Sequence, residues 1–136
     1  MTPEQTRLVE DSFAKLGPVR TEMGVAFYDE LFELAPDLRE LFERDHAEQA
    51  MQFIQVLAYI VSNLRASEQL LPIVRELGRR HAGYGVVQAH YAPFRQALLA
   101  TLQRRLQDQW TPELADAWSA TFDTLAHEML SGAVGA

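Results

Sequence analysis

Apolar residues recur at steps of three and four along almost the whole chain, which is the spacing of one buried helix face. Gly17-Pro18 and Ala35-Pro36 interrupt this pattern, and both pairs are typical of helix ends. The spacing predicts about seven helices, at residues 2–17, 18–34, 36–42, 46–64, 67–81, 90–107 and 111–132. No stretch alternates with a period of two, so we expect an all-α domain whose proline corners make the helices cross.

Three helix starts have recognisable capping residues. Thr2 followed by Pro3 and Gln5 forms a capping box, and Thr111 followed by a proline is a second start of this kind. Ser67 is expected to cap the helix that ends at His81. Pro72 lies inside that helix and is expected to distort its first turns.

Glycine inside a predicted helix indicates a close approach of two backbones. Gly24 interrupts the second helix, where a glycine costs about 1 kcal/mol relative to alanine. Ala50 in the fourth helix is small enough to pack against it. We therefore expect these two helices to cross at this pair.

Composition restricts the class of protein. With 136 residues the chain is expected to form one domain over 1–136, and without cysteine it has no disulfide or thiolate metal site. The net charge of −7 argues against nucleic acid or an anionic membrane as a partner. The apolar stretch from Met51 to Leu64 is too short and too polar to span a bilayer, and no signal peptide is visible. We expect a cytoplasmic protein.

His81 ends an apolar helix face that also carries Leu70, Val74 and Leu77. Gly83 and Gly85 follow and are expected to break the helix. Neutral imidazole at the end of a dry face is suited to bind iron, zinc or copper. The alternative is a core histidine that bonds to a backbone carbonyl.

Tyr28 and Gln49 are also polar residues on apolar helix faces. A buried polar group without a partner costs about 1–3 kcal/mol, so each needs a hydrogen bond. They either bond each other or the backbone, or they point into a cavity opposite His81 as donors to a polar ligand.

The sequence resembles a globin, most closely the bacterial single-domain haemoglobins and the globin half of the flavohaemoglobins. The resemblance rests on VAFYDELFELAPDLRELF from Val25, LLPIVRELGRRHAGYGVVQAHY from Leu70 and DAWSATFDTL from Asp116. It implies the globin fold, a crossed three-over-three helical sandwich, with haem b (iron protoporphyrin IX) as cofactor.

Residue by residue, the resemblance implies that His81 is the proximal ligand of the haem iron. Tyr28 and Gln49 would be the distal pair that hydrogen-bonds the iron-bound ligand, and Phe53 the apolar residue over the distal side. The implied haem-pocket residues are Phe42, Leu77, Arg80, Val86, Tyr91 and Phe94.

Two departures from the flavohaemoglobins affect the expected function. Flavohaemoglobins have a proximal glutamate, whereas the matching position in this sequence falls near Gly135. The electron push on the iron is therefore expected to be weaker. The chain has no reductase domain, so turnover would need a separate reductase.

Three other histidines have less specific roles. His90 is expected to cap a helix or lie at the surface, and His127 to be solvated. His46, three residues before Gln49, would contact a haem propionate or swing in as a sixth ligand.

The resemblance leaves two functions open. The first is a gas-binding haem protein that reversibly binds dioxygen for storage, transport or sensing. The alternative is an enzyme, nitric oxide dioxygenase, that works with a separate reductase. Nitric oxide, carbon monoxide, cyanide and sulfide are further expected ligands. The protein is expected to be a monomer or a homodimer. A haem-free interaction module is disfavoured because such proteins lose the proximal histidine.

Overall fold

The computed structural model of the protein describes residues 1–41 and 46–134, and every regular element in them is helical. The six α-helices of these residues are α1 (Pro3–Lys15), α2 (Arg20–Leu34), α3 (His46–Ser62), α4 (Ser67–Gly83), α5 (Tyr91–Leu106) and α6 (Pro112–Val134). Short 3₁₀ helices lie at Gly17–Val19, Pro36–Leu41, Gln88–His90 and Gln107–Gln109. The expected second helix therefore begins two residues later than predicted, and the expected third helix is of the 3₁₀ type.

Local sequence accounts for most of the helix ends. The Thr2 hydroxyl accepts from the Gln5 amide at 3.1 Å, and the Gln5 side chain accepts from the Thr2 amide at 2.9 Å. Thr111 likewise accepts from the Leu114 amide at 3.1 Å. The prediction for Ser67 is wrong: Ala66 occupies the capping position, without a side-chain hydrogen bond, and Ser67 is already the first helical residue.

Helix α4 is two residues longer than predicted and is unbroken at Pro72. It ends at Gly83, and Gly85 in the following turn has a φ of 96°. Only glycine adopts this left-handed conformation readily, so Gly85 makes the sharp change of direction after the helix.

The helices form two crossed layers of three. Helices α1, α3 and α4 lie over α2, α5 and α6, and the pairs α1–α6, α2–α3 and α4–α6 join the two layers. The pair α4–α6 is the most extensive. This is the expected three-over-three sandwich.

The crossing of α2 and α3 lies at Gly24 and Ala50, as predicted. A Cβ atom on Gly24 would lie 2.9 Å from the Ala50 carbonyl oxygen and 3.0 Å from Cγ1 of Ile54. A glycine is therefore needed here for the two backbones to approach.

The core is anchored by the fully buried Trp118 of α6. Its indole nitrogen donates to the Ser12 hydroxyl at 2.9 Å, and that hydroxyl donates to the Val9 carbonyl at 3.0 Å. Both buried polar groups are thus satisfied, which links α6 to α1 without an unpaired donor. Among residues 1–41 and 46–134, no helix is long and apolar enough to cross a bilayer.

Candidate functional site

A cavity of about 180 Å³ lies between the two helical layers. Its walls are mainly apolar side chains from α2, α3, α4, α5 and α6, since these helices turn their apolar faces toward the interior. Among the described residues, the polar side chains in the lining are Tyr28, Gln49, His81, Tyr91 and Thr121. The arrangement suits an apolar ligand with a few polar contacts.

His81 reaches the cavity from the last turn of α4. Its Nδ1 lies 2.7 Å from the carbonyl oxygen of Leu77, one turn earlier on the same helix. The carbonyl oxygen can only accept, so Nδ1 is the donor, and in the neutral ring the lone pair lies on Nε2. The ring is half-buried and lines the cavity. His81 therefore bonds to a backbone carbonyl, as one interpretation expected, and it also lines the cavity, while its binding of a metal stays a prediction.

Tyr28 of α2 and Gln49 of α3 meet at the same cavity. The Gln49 amide nitrogen donates to the Tyr28 hydroxyl oxygen at 3.4 Å. Burial raises the pKa of the Tyr28 phenol, while the hydrogen bond from Gln49 lowers it by less. The phenol is thus neutral at physiological pH and keeps its O–H donor. The two residues bond each other, as one alternative expected, and both also line the cavity, while their role as donors to a ligand stays a prediction.

Phe53, one turn after Gln49, forms an apolar part of the cavity wall. Its ring stacks on Phe27, with centroids 4.3 Å apart and an interplanar angle of 10°. The Tyr28 ring meets Phe53 edge-on at 5.9 Å. Aromatic contacts of this kind favour defined ring orientations, so they hold Phe53 and Tyr28 in place.

Four of the predicted pocket residues, Leu77, Val86, Tyr91 and Phe94, also line the cavity. Burial raises the pKa of the Tyr91 phenol. Arg80 lies elsewhere, on the outer side of α4. Its side chain is mostly exposed and pairs with Glu76 at 3.6 Å.

The remaining predicted residues fall into two groups. Phe42 and Gly135, as well as the side chain of His46, lie outside the described residues. His90 accepts from the Val87 amide at 3.0 Å, so it caps the short helix at Gln88–His90, and His127 is exposed. Both observations match the expected roles.

Helix α6 forms a wall of the cavity that the sequence did not reveal. Trp118, Phe122, Leu125 and Met129 recur at steps of three and four along this helix, and all four line the cavity. Thr121 also lines it, and its hydroxyl donates to the Ala117 carbonyl at 2.8 Å. Periodicity marks these positions as facing inward, but it does not distinguish a filled core from a cavity wall.

Sequence comparison places this cavity in a known context. A model of the globin family matches residues 25–129. The chain is 34% identical over 134 residues to a flavohemoprotein from Bordetella parapertussis, covering 93% of this chain and 32% of that protein. It is also 29% identical over 139 residues to an anaerobic nitrite reductase from Gossypium hirsutum, covering 91% of this chain and 85% of that protein.

Comparison with solved structures agrees on the fold. A hexacoordinated heme protein from an anhydrobiotic tardigrade superposes with a TM-score of 0.88 over 98% of this chain and 95% of its own, at 18% sequence identity. The chain spans about a third of the length of the flavohemoprotein it matches. The family match covers most of the chain and includes Tyr28, Gln49 and His81. The crossed helical layers, the cavity and this match together show that the chain belongs to the globin family.

Proposed function

We propose that the protein binds haem b through His81 and uses it to bind dioxygen reversibly. The observation that carries this proposal is that one apolar cavity brings together His81 and the Tyr28–Gln49 pair. Among the described residues that line the cavity, His81 is the one whose side chain has a nitrogen that binds metals strongly.

The donor set fits an iron porphyrin. A metal held by one imidazole needs other ligands, and a porphyrin ring supplies four nitrogens while its faces are apolar. The apolar walls of the cavity match such a ring, and the Leu77 carbonyl orients His81 so that Nε2 is free to bind. His81 would hold the haem iron, and the haem would supply the site at which a diatomic ligand binds.

The chain's own residues would then select and hold that ligand. The neutral phenol of Tyr28 and the amide of Gln49 are donors to a polar diatomic molecule in a surrounding of low dielectric. Phe53, fixed by its stacking on Phe27, limits the space beside them. Carbon monoxide and nitric oxide fit the same space, and cyanide or sulfide would use the same donors on the ferric form.

The alternative function is nitric oxide dioxygenase with a separate reductase. Its support is the 34% identity to a flavohemoprotein over nearly the whole chain. The same donors would serve this reaction, in which dioxygen and nitric oxide give nitrate. Consumption of nitric oxide that continues only when a reductase and its electron source are added would favour the enzyme. We place either function in the cytoplasm.

The test is an absorption spectrum of the purified protein after addition of haem, reduced with dithionite and then exposed to oxygen. Wild type should give a Soret band that shifts reversibly with oxygen. His81→Ala should weaken or alter that band, because the axial imidazole is lost. His127→Ala, an exposed histidine on α6, is the matched control and should behave as wild type. No Soret band in wild type, or an unchanged band in His81→Ala, would contradict the proposal.

A further inference from the structure

Helices α4 and α6 touch at two glycines. A Cβ atom added to Gly78 of α4 would fall on the backbone carbonyl of Met129 in α6. A Cβ atom added to Gly132 of α6 would fall on the backbone carbonyl of Arg75 in α4. Both contacts would be far inside van der Waals distance. The two backbones therefore pack directly against each other, and either side chain would force them apart.

The contact is reciprocal, and an ion pair also bridges the two helices there. Each helix contributes one glycine and one carbonyl to it, so the two contacts fix both the separation and the register of the pair. The Arg75 guanidinium also bonds the Glu128 carboxylate across the same crossing at 2.8 Å. Gly78 is buried. The position of α4 against α6 is therefore closely determined.

This crossing lies beside the residues that orient His81. Gly78 directly follows Leu77, whose carbonyl accepts from the His81 imidazole at 2.7 Å. Gly78 is also one helical turn before His81. Leu77 and His81 line the cavity from α4, and Met129 lines it from α6. A displacement of α4 from α6 would thus move the imidazole relative to the cavity wall.

We propose that Gly78 and Gly132 are positioning residues for the His81 imidazole. Their contact sets the distance of α4 from α6, and this distance sets the position of Nε2 relative to the bound haem. The inference rests on the proposed function, since it concerns the bond between His81 and the haem iron. It assigns to the two glycines a role in tuning that bond, in addition to packing.

Helix α4 offers a matched control two residues after His81. A Cβ atom on Gly83 would meet no atom within 4 Å. Gly83→Ala is therefore the same substitution on the same helix, close to the same imidazole, but without any effect on the crossing.

The experiment is resonance Raman spectroscopy of the ferrous haem-bound protein, read at the iron–imidazole stretching band, together with the rate of haem loss to an acceptor protein. Gly78→Ala should shift or broaden the band and speed haem loss about tenfold, the usual scale for disturbing the surroundings of a metal ligand. Gly132→Ala should change the band in the same direction by a smaller amount, because its contact at Arg75 lies further from His81. Gly83→Ala should keep the wild-type band and a rate within about twofold of wild type.

Three outcomes would overturn the inference. If Gly78→Ala and Gly132→Ala melt at lower temperature but keep the wild-type band, the glycines serve packing alone. Should Gly78→Ala fail to fold, the band of Gly132→Ala decides: a shift supports the inference and an unchanged band overturns it. A wild-type protein without any iron–imidazole band would instead refute the proposed function itself, and the inference with it.

Discussion

Tyr28 combines deep burial with a place in the lining of the cavity. Its side chain is 4% exposed, and its ring contacts the aromatic rings of Phe27 and Phe53. Burial keeps the phenol neutral, so the oxygen that accepts from Gln49 also carries a proton to donate. The residue is therefore suited to stabilise a ligand that becomes partly negative when it binds.

Tyr28→Phe should weaken the hold on dioxygen. The substitution removes one donor in a cavity of low dielectric, which is worth roughly 1–3 kcal/mol, or about 5- to 150-fold in rate. We expect dissociation of dioxygen from the haem-bound variant, followed by stopped-flow absorbance, to be at least tenfold faster than in wild type. Tyr84→Phe, at an exposed tyrosine, is the control. A change of less than twofold in Tyr28→Phe would mean that another group is the donor.

The raised pKa of Tyr28 also predicts how stability depends on pH. In the unfolded chain the phenol ionises with a pKa near 10.0, whereas in the folded protein the pKa is higher. Below the unfolded value both states hold the proton, and Tyr28 adds no pH dependence. Above it the unfolded state loses the proton first, so stability falls as pH rises through the folded pKa.

Tyr28→Phe should remove this loss of stability at alkaline pH. The free energy of unfolding, measured with denaturant from about pH 8 to about pH 11, should differ from wild type by a constant amount below about pH 10. Above that pH the difference should move in favour of the variant, by at most about 1.4 kcal/mol per pH unit. A difference that stays constant over the whole range would show that the phenol ionises equally easily in both states.

The sequence was informative about which polar residues line the cavity, and less so about how they are held. Tyr28, Gln49 and His81 were predictable because a polar residue on an apolar helix face needs a reason to be there. The stacking of Phe27 on Phe53 was not predictable, since it joins α2 to α3 and depends on the angle at which they cross. Spacing along one helix contains no information on that angle.

At the scale of helices, close crossings place the side chains of the cavity. Gly24 lets α2 approach α3, and these two helices carry Tyr28 and Gln49. The separation of this pair, 3.4 Å between the amide nitrogen and the phenol oxygen, therefore depends on a glycine one turn before Tyr28. Packing at the crossing and polar contact in the cavity are parts of one arrangement.

Gly24→Val should destabilise the fold. A Cβ atom alone would already lie 2.9 Å from the Ala50 carbonyl oxygen, and valine adds two further methyl groups beyond it. We expect chemical denaturation to give a free energy of unfolding lower by about 2–3 kcal/mol, as for other overpacked sites.

Gly17→Val is the matched control for this substitution. A Cβ atom on Gly17 would meet no atom within 4 Å, so the change in stability should stay within about 0.5 kcal/mol of wild type. Equal effects at the two positions would mean that loss of glycine, and not the crossing, decides the result.

Helix starts and crossings differ in how far sequence predicts them. Thr2 and Thr111 were predictable because capping depends on residues only three positions apart. Gly24 and Ala50 were matched correctly by size, but the α4–α6 crossing was missed. Gly132 looked like a helix end, whereas α6 continues to Val134 and uses this glycine for its contact with α4. A lone glycine indicates a close approach without naming the helix that approaches.

At the scale of the whole molecule, the cavity is a property of five helices together. Each of them presents an apolar face, and the sequence predicts that these faces are buried. The sequence does not predict whether these faces pack against one another or leave a cavity between them, because both outcomes need the same spacing of apolar residues. Polar residues on apolar faces left a cavity open as one alternative, and the resemblance to a globin implied it. The packing of α6 against α4 supplies the wall that the local patterns left unassigned.

Filling this cavity should stabilise the whole fold. A ligand that binds only the folded state adds about 4 kcal/mol when its free concentration is a thousand times its dissociation constant. Haem should therefore raise the melting temperature of the wild-type protein by several degrees, as followed by circular dichroism. Iron-free protoporphyrin IX has the same apolar ring but offers no bond to His81. It should raise the melting temperature by a smaller amount.

The comparison with His81→Ala separates the two contributions to this stabilisation. In this variant haem and iron-free protoporphyrin IX should raise the melting temperature about equally, because only the apolar walls of the cavity remain to hold either ring. If haem keeps its advantage in His81→Ala, another residue ligates the iron and the cavity binds haem in a different way. If neither compound stabilises the wild-type protein, the cavity does not accept a porphyrin ring, and the folded chain shares the globin architecture without its cofactor.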